Sequence, residues 1–393
     1  MNISFGDQRL VGQQRAREQI KRIYGSDRIS HAYLISGPKG AGKTPFALAF
    51  AELINGISNL TDLGEHRSSK KSSWFSHPDI HVFIPKPTSA GMSEIRERLE
   101  LLSDDPYEII DFSSRPSLSD DSSKNLQAFY PIDYFRDDIR PIAKLKPNEG
   151  KRVIIIMTRV ETMRKETANA FLKLLEEPND RLMFILTTES YESLLPTIVS
   201  RCQHIPLGML SEDDVRTGLM KNESLSEDEA SYLARVSGGN YAMTRFFDLE
   251  KLKDNREGIV EFLRASYSQD ASALSKMIQD WQSDNNIEGM VSLTNLIEMY
   301  LRDLMVFRTT ENRSLITNID QAESIAKFTR ALGDARLEDM IDELEESRTL
   351  LRQNVNPKLV FIVLSLRYSA LMRGMDPVIS NANNWQHLPA FVS

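Results

Sequence analysis

The chain has 393 residues and one cysteine, Cys202. A single thiol excludes an intramolecular disulfide and any structural zinc site built on several thiolates. Long apolar runs are missing as well. No stretch reaches the ~20 apolar residues that a membrane helix needs, and the N-terminal "MNISFGDQRLVGQQ" has no signal-peptide core. The expectation is a cytoplasmic protein with no membrane partner. Nor is there an excess of positive charge. Lys and Arg number 48 against 56 Asp and Glu, a formal net charge of -8, so no overall basic field draws the chain to nucleic acid. Any service to DNA runs through a local patch or through partners. The length suits two or three domains of ordinary globular composition.

Up to about residue 207, short apolar runs alternate with helical patterns. "HAYLIS" (31–36), "DIHVFIP" (79–85), "KRVIIIM" (151–157) and "RLMFILTT" (181–188) read as strands. Helices are expected over 11–30, 45–56, near 92–103 and over 166–178. That alternation predicts an α/β domain with a mostly parallel sheet. Residues 86–130, rich in Ser, Asp and Pro, read as an exposed insertion. Beyond 210 the strand signals cease and the chain reads as all-helical. "SEDDVRTGLM" starts with a Ser N-cap and acids in the first turn. Apolar stripes recur over 287–306 and 337–351. "NPKLVFIVLSLRYSALM" (356–372) is apolar almost all round and is expected to be buried; the tail from 376 to 393 is expected to be poorly ordered.

The stretch "GPKGAGKTP" carries the chemistry. Gly37, Gly42, Lys43 and Thr44 satisfy G-x-x-x-x-G-K-[ST], with Gly40 inside the loop. Glycines let backbone N–H groups turn inward around phosphate oxygens, and the following helix adds positive potential. Lys43 would reach the β and γ phosphates and Thr44 would ligate Mg²⁺, which is expected only with a nucleotide. The alternative is a glycine turn that only packs helix on sheet. Hydrolysis asks for an acid at the end of a neighbouring strand. After "VIIIM" stand Thr158, Arg159, Val160 and Glu161, with no Asp-Glu pair and a positive charge where a metal ligand belongs. Pro45 has no N–H to offer a phosphate, although proline suits a helix's first turn. Nucleotide binding, ATP or ADP, is expected to be weak or absent.

Taken in order, "LVGQQRAREQI", "ISHAYLISGPKGAGKT", "HPDIHVFIP", "ANAFLKLLEEPNDRLMFILTT", "LLPTIVSRCQHIPL" and, near the end, "NVNPKLVFIVLSLRY" resemble the clamp-loader subunits of bacterial DNA polymerase III, members of the AAA+ class. The resemblance implies an AAA+ P-loop domain over 1–207, a helical lid over 208–270 and a helical collar over 271–375. It implies gamma/tau-type and delta-type subunits as partners, with the sliding clamp and primer-template DNA reached through the complex. Ser200-Arg201-Cys202 matches a motif whose arginine enters a neighbouring subunit's ATP site, so Arg201 becomes the candidate arginine finger; the alternative is an arginine paired with a local carboxylate. Thr187 and Thr188 match the first sensor, and Val11 and Gly12 the adenine-pocket segment. Lys173 lies on a helix that faces DNA in active subunits, or is an ordinary solvated lysine.

Three departures bear on activity. The family's four-cysteine zinc module has no counterpart in "NLTDLGEHRSSKKSSWFS", and His66, His77 and His81 cannot replace it, so no metal is expected. Ala242 stands where active subunits carry a second-sensor arginine. With the missing acid pair and Pro45, these point to the family's non-hydrolysing members, which serve replication by assisting a neighbour. A self-sufficient gamma/tau-type ATPase and a purely structural adaptor remain as alternatives.

Overall fold

Valine, isoleucine and methionine fill residues 153–157, and all five are buried. Burial on both faces is the habit of a strand inside a parallel sheet covered by helices. In the computed structural model this run is β3 (Val153–Met157). With it run β1 (Ala32–Ser36), β2 (Ile80–Phe83), β4 (Leu182–Thr188) and β5 (Gln203–Pro206). All are parallel, in the order β2-β3-β4-β1-β5. The structure describes residues 5, 10–26, 28–56, 75, 77–113, 115, 118, 127–177, 179–246, 249–284, 287–316, 318, 321–353 and 355–377. The cysteine-free span 59–76 therefore lies outside the described residues except for Phe75, as does the tail beyond residue 377.

The chain divides into two compact units, residues 1–245 and 246–393. In the first, α1 (Gln14–Gly25), α2 (Lys43–Asn55), α3 (Met92–Asp104) and α4 (Lys165–Glu176) accompany the sheet. Helix α1 is shorter than its apolar pattern predicts, because Gly12 and Gln13 take left-handed φ values of 57° and 59° and turn the chain before the helix begins. The sequence pattern does not announce β5. It is an edge strand of four residues, only Ile205 of which is buried, so it lacks the apolar run that marks the inner strands. Two further helices, α5 (Glu212–Asn222) and α6 (Glu227–Ser237), pack on each other and complete this unit.

The second unit is helical throughout its described residues: α7 (Leu249–Ser268), α8 (Ala271–Asp284), α9 (Ile287–Thr310), α10 (Ala322–Ala331), α11 (Leu337–Arg352) and α12 (Pro357–Leu371), with short turns between. Phe262, Trp281 and Phe361 form an aromatic cluster with centroids 5.5–6.1 Å apart. The buried Tyr368 hydroxyl donates to the Met340 carbonyl at 2.8 Å. Helix α12 opens as its sequence asks. Asn356 is its N-cap, accepting the Lys358 N–H with its side chain, and Pro357 takes the first helical position. The helix is not buried all round, however. Val360, Phe361, Leu364 and Tyr368 face inward, but Leu359 and Leu366 are 56% and 52% exposed, because only one side of the helix meets α7, α8 and α11.

Candidate nucleotide and arginine-finger sites

The phosphate loop leaves the carboxyl end of β1, held by a Gly37 N–H bond to the Thr188 carbonyl (3.1 Å). Gly42 takes φ 84° as the N-cap of α2, a conformation that a side chain would strain. Gly40 (φ 77°) has no room for a Cβ: one would lie 2.0 Å from the Asn240 side-chain oxygen. The first helical bond of α2 runs from Phe46 N–H to Gly42 carbonyl, so Pro45 costs the helix nothing and only removes an N–H from the loop's side.

Lys43 is 7% exposed and folds back on its own loop. Its ammonium donates to the Gly37 and Pro38 carbonyls at 2.9 and 2.7 Å and stands 3.7 Å from Glu189. Burial lowers its pKa, partly offset by Glu189 and Glu161. Nothing in the sequence singles out Glu189, one residue beyond β4. Arg159 sits just past β3 with φ 51°. Its guanidinium bonds Asp111 and the Ser113 hydroxyl, each at 3.0 Å, and lies 3.7 Å from Glu161. Burial opposes the charge on Arg159, but Asp111, Glu189 and Glu161 outweigh it and raise the pKa. Glu161 itself is pushed up by burial, while a bond from Thr188 acts the other way. No group of three His, Cys, Asp or Glu among the described residues is arranged to hold a metal.

A cavity of about 110 Å³ opens here, lined by Lys39, Gly40, Gly42, Lys43, Thr44 and Pro45 on one side and by Pro106–Asp111 on the other, with Ile84, Thr158, Arg159, Thr187, Glu189, Asn240 and Ala242 completing it. Pockets that hold small ligands run to roughly 300–1,000 Å³, so the residues present do not fit a nucleotide as they stand. Thr187 reaches this cavity and accepts the Arg159 N–H at 3.2 Å; Thr188 is fully buried and is not part of its lining. Val11 and Gly12 join the same region through a side chain that the sequence does not point to: the Val11 N–H donates to the Tyr107 hydroxyl at 2.7 Å. Gln13 ties the segment down, its amide donating to the Ala41 and Gly208 carbonyls at 3.0 and 2.7 Å. Residues 105–112 are thus not the exposed loop their composition suggests. Tyr107, Ile110 and Phe112 are 5%, 7% and 0% exposed.

Arg201 lies elsewhere and does not line the cavity. It follows the short helix Pro196–Val199, donates to the Thr197 carbonyl at 2.9 Å and pairs with Glu176, the last residue of α4, at 2.8 Å. The arginine is 34% exposed and the glutamate 50%, so solvent reaches the pair. Its neighbour Cys202 has its thiol pushed up to about 12 by burial, which makes it chemically quiet. Lys173 is exposed on α4.

The family described as "DNA polymerase III, delta subunit" matches residues 12–111 and 126–211, and "DNA polymerase III, delta subunit, C terminal" matches 250–369, together most of the chain. The chain is 24% identical to DNA polymerase III subunit delta' of Bacillus subtilis over 86% of its length and 91% of that protein. It is 22% identical to subunit tau of the same organism over 90% of its length, spanning 60% of that protein. A solved gamma subunit-related protein of Thermotoga maritima aligns over 90% of this chain and 100% of its own with 18% identity and a TM-score of 0.38. With a five-stranded parallel sheet carrying a phosphate loop, a helical C-terminal unit and family matches in both, the chain belongs to the DNA polymerase III clamp-loader subunits and is delta-prime-like among them.

Proposed function

We propose that this chain is a non-hydrolysing clamp-loader subunit that lends Arg201 to ATP bound by a neighbouring gamma/tau-type subunit. The neighbour hydrolyses; the assembly, with a delta-type subunit, opens the sliding clamp and places it on primer-template DNA. The observation that carries this reading is Arg159. It fills the place beyond β3 where a magnesium-holding acid is needed and is already bound to Asp111. Pro45 and the sensor-position Ala242 agree with it, since each removes a group that a working site would use. Support for action in trans comes from the position of Arg201, outside the chain's own P-loop cavity and reached by solvent. An always-charged, forked guanidinium suits γ-phosphate oxygens, and Glu176 is a partner it can exchange for them. On α12, Leu359 and Leu366 offer apolar surface to a partner helix, and Lys173 offers a charge to DNA.

Arginine fingers are worth about 10³-fold or more in rate. Arg201→Ala in the reconstituted complex is expected to remove hydrolysis at one interface by roughly that factor, with assembly intact. An unchanged rate would favour the structural adaptor instead. The likeness to tau keeps a second reading in view, a self-sufficient ATPase; steady ATP turnover by the chain alone would establish it.

A further inference from the structure

What fills the space beside the phosphate loop is the chain itself. Segment 105–111 leaves α3 through a tight turn in which the Glu108 N–H bonds the Asp105 carbonyl (3.0 Å) and the Asp105 carboxylate accepts the Tyr107 N–H (2.9 Å). Asp followed by Pro106 is the pair such a turn prefers. The turn drives Tyr107 inward. Its hydroxyl accepts the Val11 N–H, and its ring meets Tyr241 edge-on at 4.7 Å between centroids. A flat ring with an acceptor aimed at a backbone N–H is also what a purine base presents. At the other end, Asp111 puts a carboxylate on Arg159 at 3.0 Å.

The segment is fastened from behind. Arg98 of α3 is 0% exposed. It donates to the Ile110 and Arg115 carbonyls at 2.9 and 2.8 Å, and its guanidinium lies over the Phe112 ring at 3.7 Å. A buried guanidinium is costly unless its donors are used, so its presence here indicates a fixed, specific conformation for the segment.

We propose that residues 105–111 are a built-in occupant of the nucleotide pocket. Tyr107 stands where a base would be held, and Asp111 supplies negative charge to Arg159. Through Tyr241 the segment joins the sheet to the α5–α6 part of the unit without any nucleotide. Nucleotide is thus excluded chiefly by occupancy, and Pro45 is secondary. The proposal rests on the clamp-loader reading only for the identity of the pocket.

The test is titration of a fluorescent methylanthraniloyl ATP with Mg²⁺ into the full chain, in wild type, Pro45→Ser, Tyr107→Ala/Asp111→Ala and the triple variant, alongside thermal melts. The wild type and Pro45→Ser are expected to bind alike and poorly. Both variants without Tyr107 and Asp111 are expected to bind at least tenfold tighter and to gain melting temperature with MgATP, because a ligand of the folded state stabilises it. The proposal is overturned if the wild type binds as tightly as they do, or if they are folded by circular dichroism and bind no better than their parents. Should the double variant not fold, the single Tyr107→Ala removes the ring and leaves Asp111 on Arg159; tighter binding than wild type supports the plug and unchanged binding by a folded chain refutes it. None of these outcomes depends on Arg201, whose role is read from the assembled complex.

Discussion

Asp79 illustrates how much one side chain settles. It precedes β2, is 2% exposed, and its carboxylate accepts the N–H groups of Asn148, Glu149 and Gly150 at 2.6–2.7 Å. Burial alone would raise its pKa; the three bonds, favouring the ionised form, bring it below the usual value. The bonds fix the turn that feeds β3, whose far end carries Arg159. Asp79→Asn keeps the shape but turns an N–H pair toward N–H donors, and is expected to cost about 2–4 kcal/mol in urea unfolding. The sign of the pH effect follows from the depressed pKa. An unfolded Asp titrates near ~3.9, so the contribution is complete above about pH 4 and is lost as pH falls through the lower native value. The variant is expected to lack that acid slope. At this scale some of the site was legible. Glycine spacing announces a phosphate loop, and a charge after "VIIIM" is plain to read. Tyr107 was not, because "DDPY" signals a turn but not where its tip lands, and its partner Val11 is 96 residues away. Glu189 was hidden for the same reason: its meaning comes only from Lys43 lying opposite.

Among the elements, α5 and α6 share one device. Ser211 and Ser226 each cap their helix, accepting the N–H of Asp214 and Glu229, while those acids reach back to the serine N–H at 3.3 and 3.2 Å. Each cap is worth about 1 kcal/mol. Ser211→Ala and Ser226→Ala are expected to lose that much apiece and, being on separate helices, to add; denaturant midpoints of the two single variants and the double check both statements. The Ser211 cap was read from the sequence because its signal is local. The inner strands were readable for their unbroken apolar runs. β5 and the early end of α1 were not, since one depends on pairing with β1 and the other on backbone angles at Gly12 and Gln13.

For the molecule as a whole, the change from alternating strands and helices to helices alone was visible in the sequence, and the family matches run through both units. What the pattern of α12 could not tell is that one side stays open, since apolarity all round looks the same whether the chain or a partner covers it. Leu359→Glu/Leu366→Glu is expected to abolish co-purification with gamma/tau-type subunits while leaving helix content unchanged by circular dichroism; retained co-purification would move the contact elsewhere. The cavity by the phosphate loop has a consequence of a different kind. Lys39, Lys43 and Arg159 line it together with Glu108, Asp111 and Glu189, three charges of each sign. Empty phosphate sites are cationic funnels that steer polyanions inward. This mouth has no net field to offer, in a chain already negative overall. Encounter with a nucleotide should then be unassisted, and in Tyr107→Ala, which keeps all six charges, its rate measured by stopped flow should rise and not fall with ionic strength, as salt screens the chain's overall negative charge.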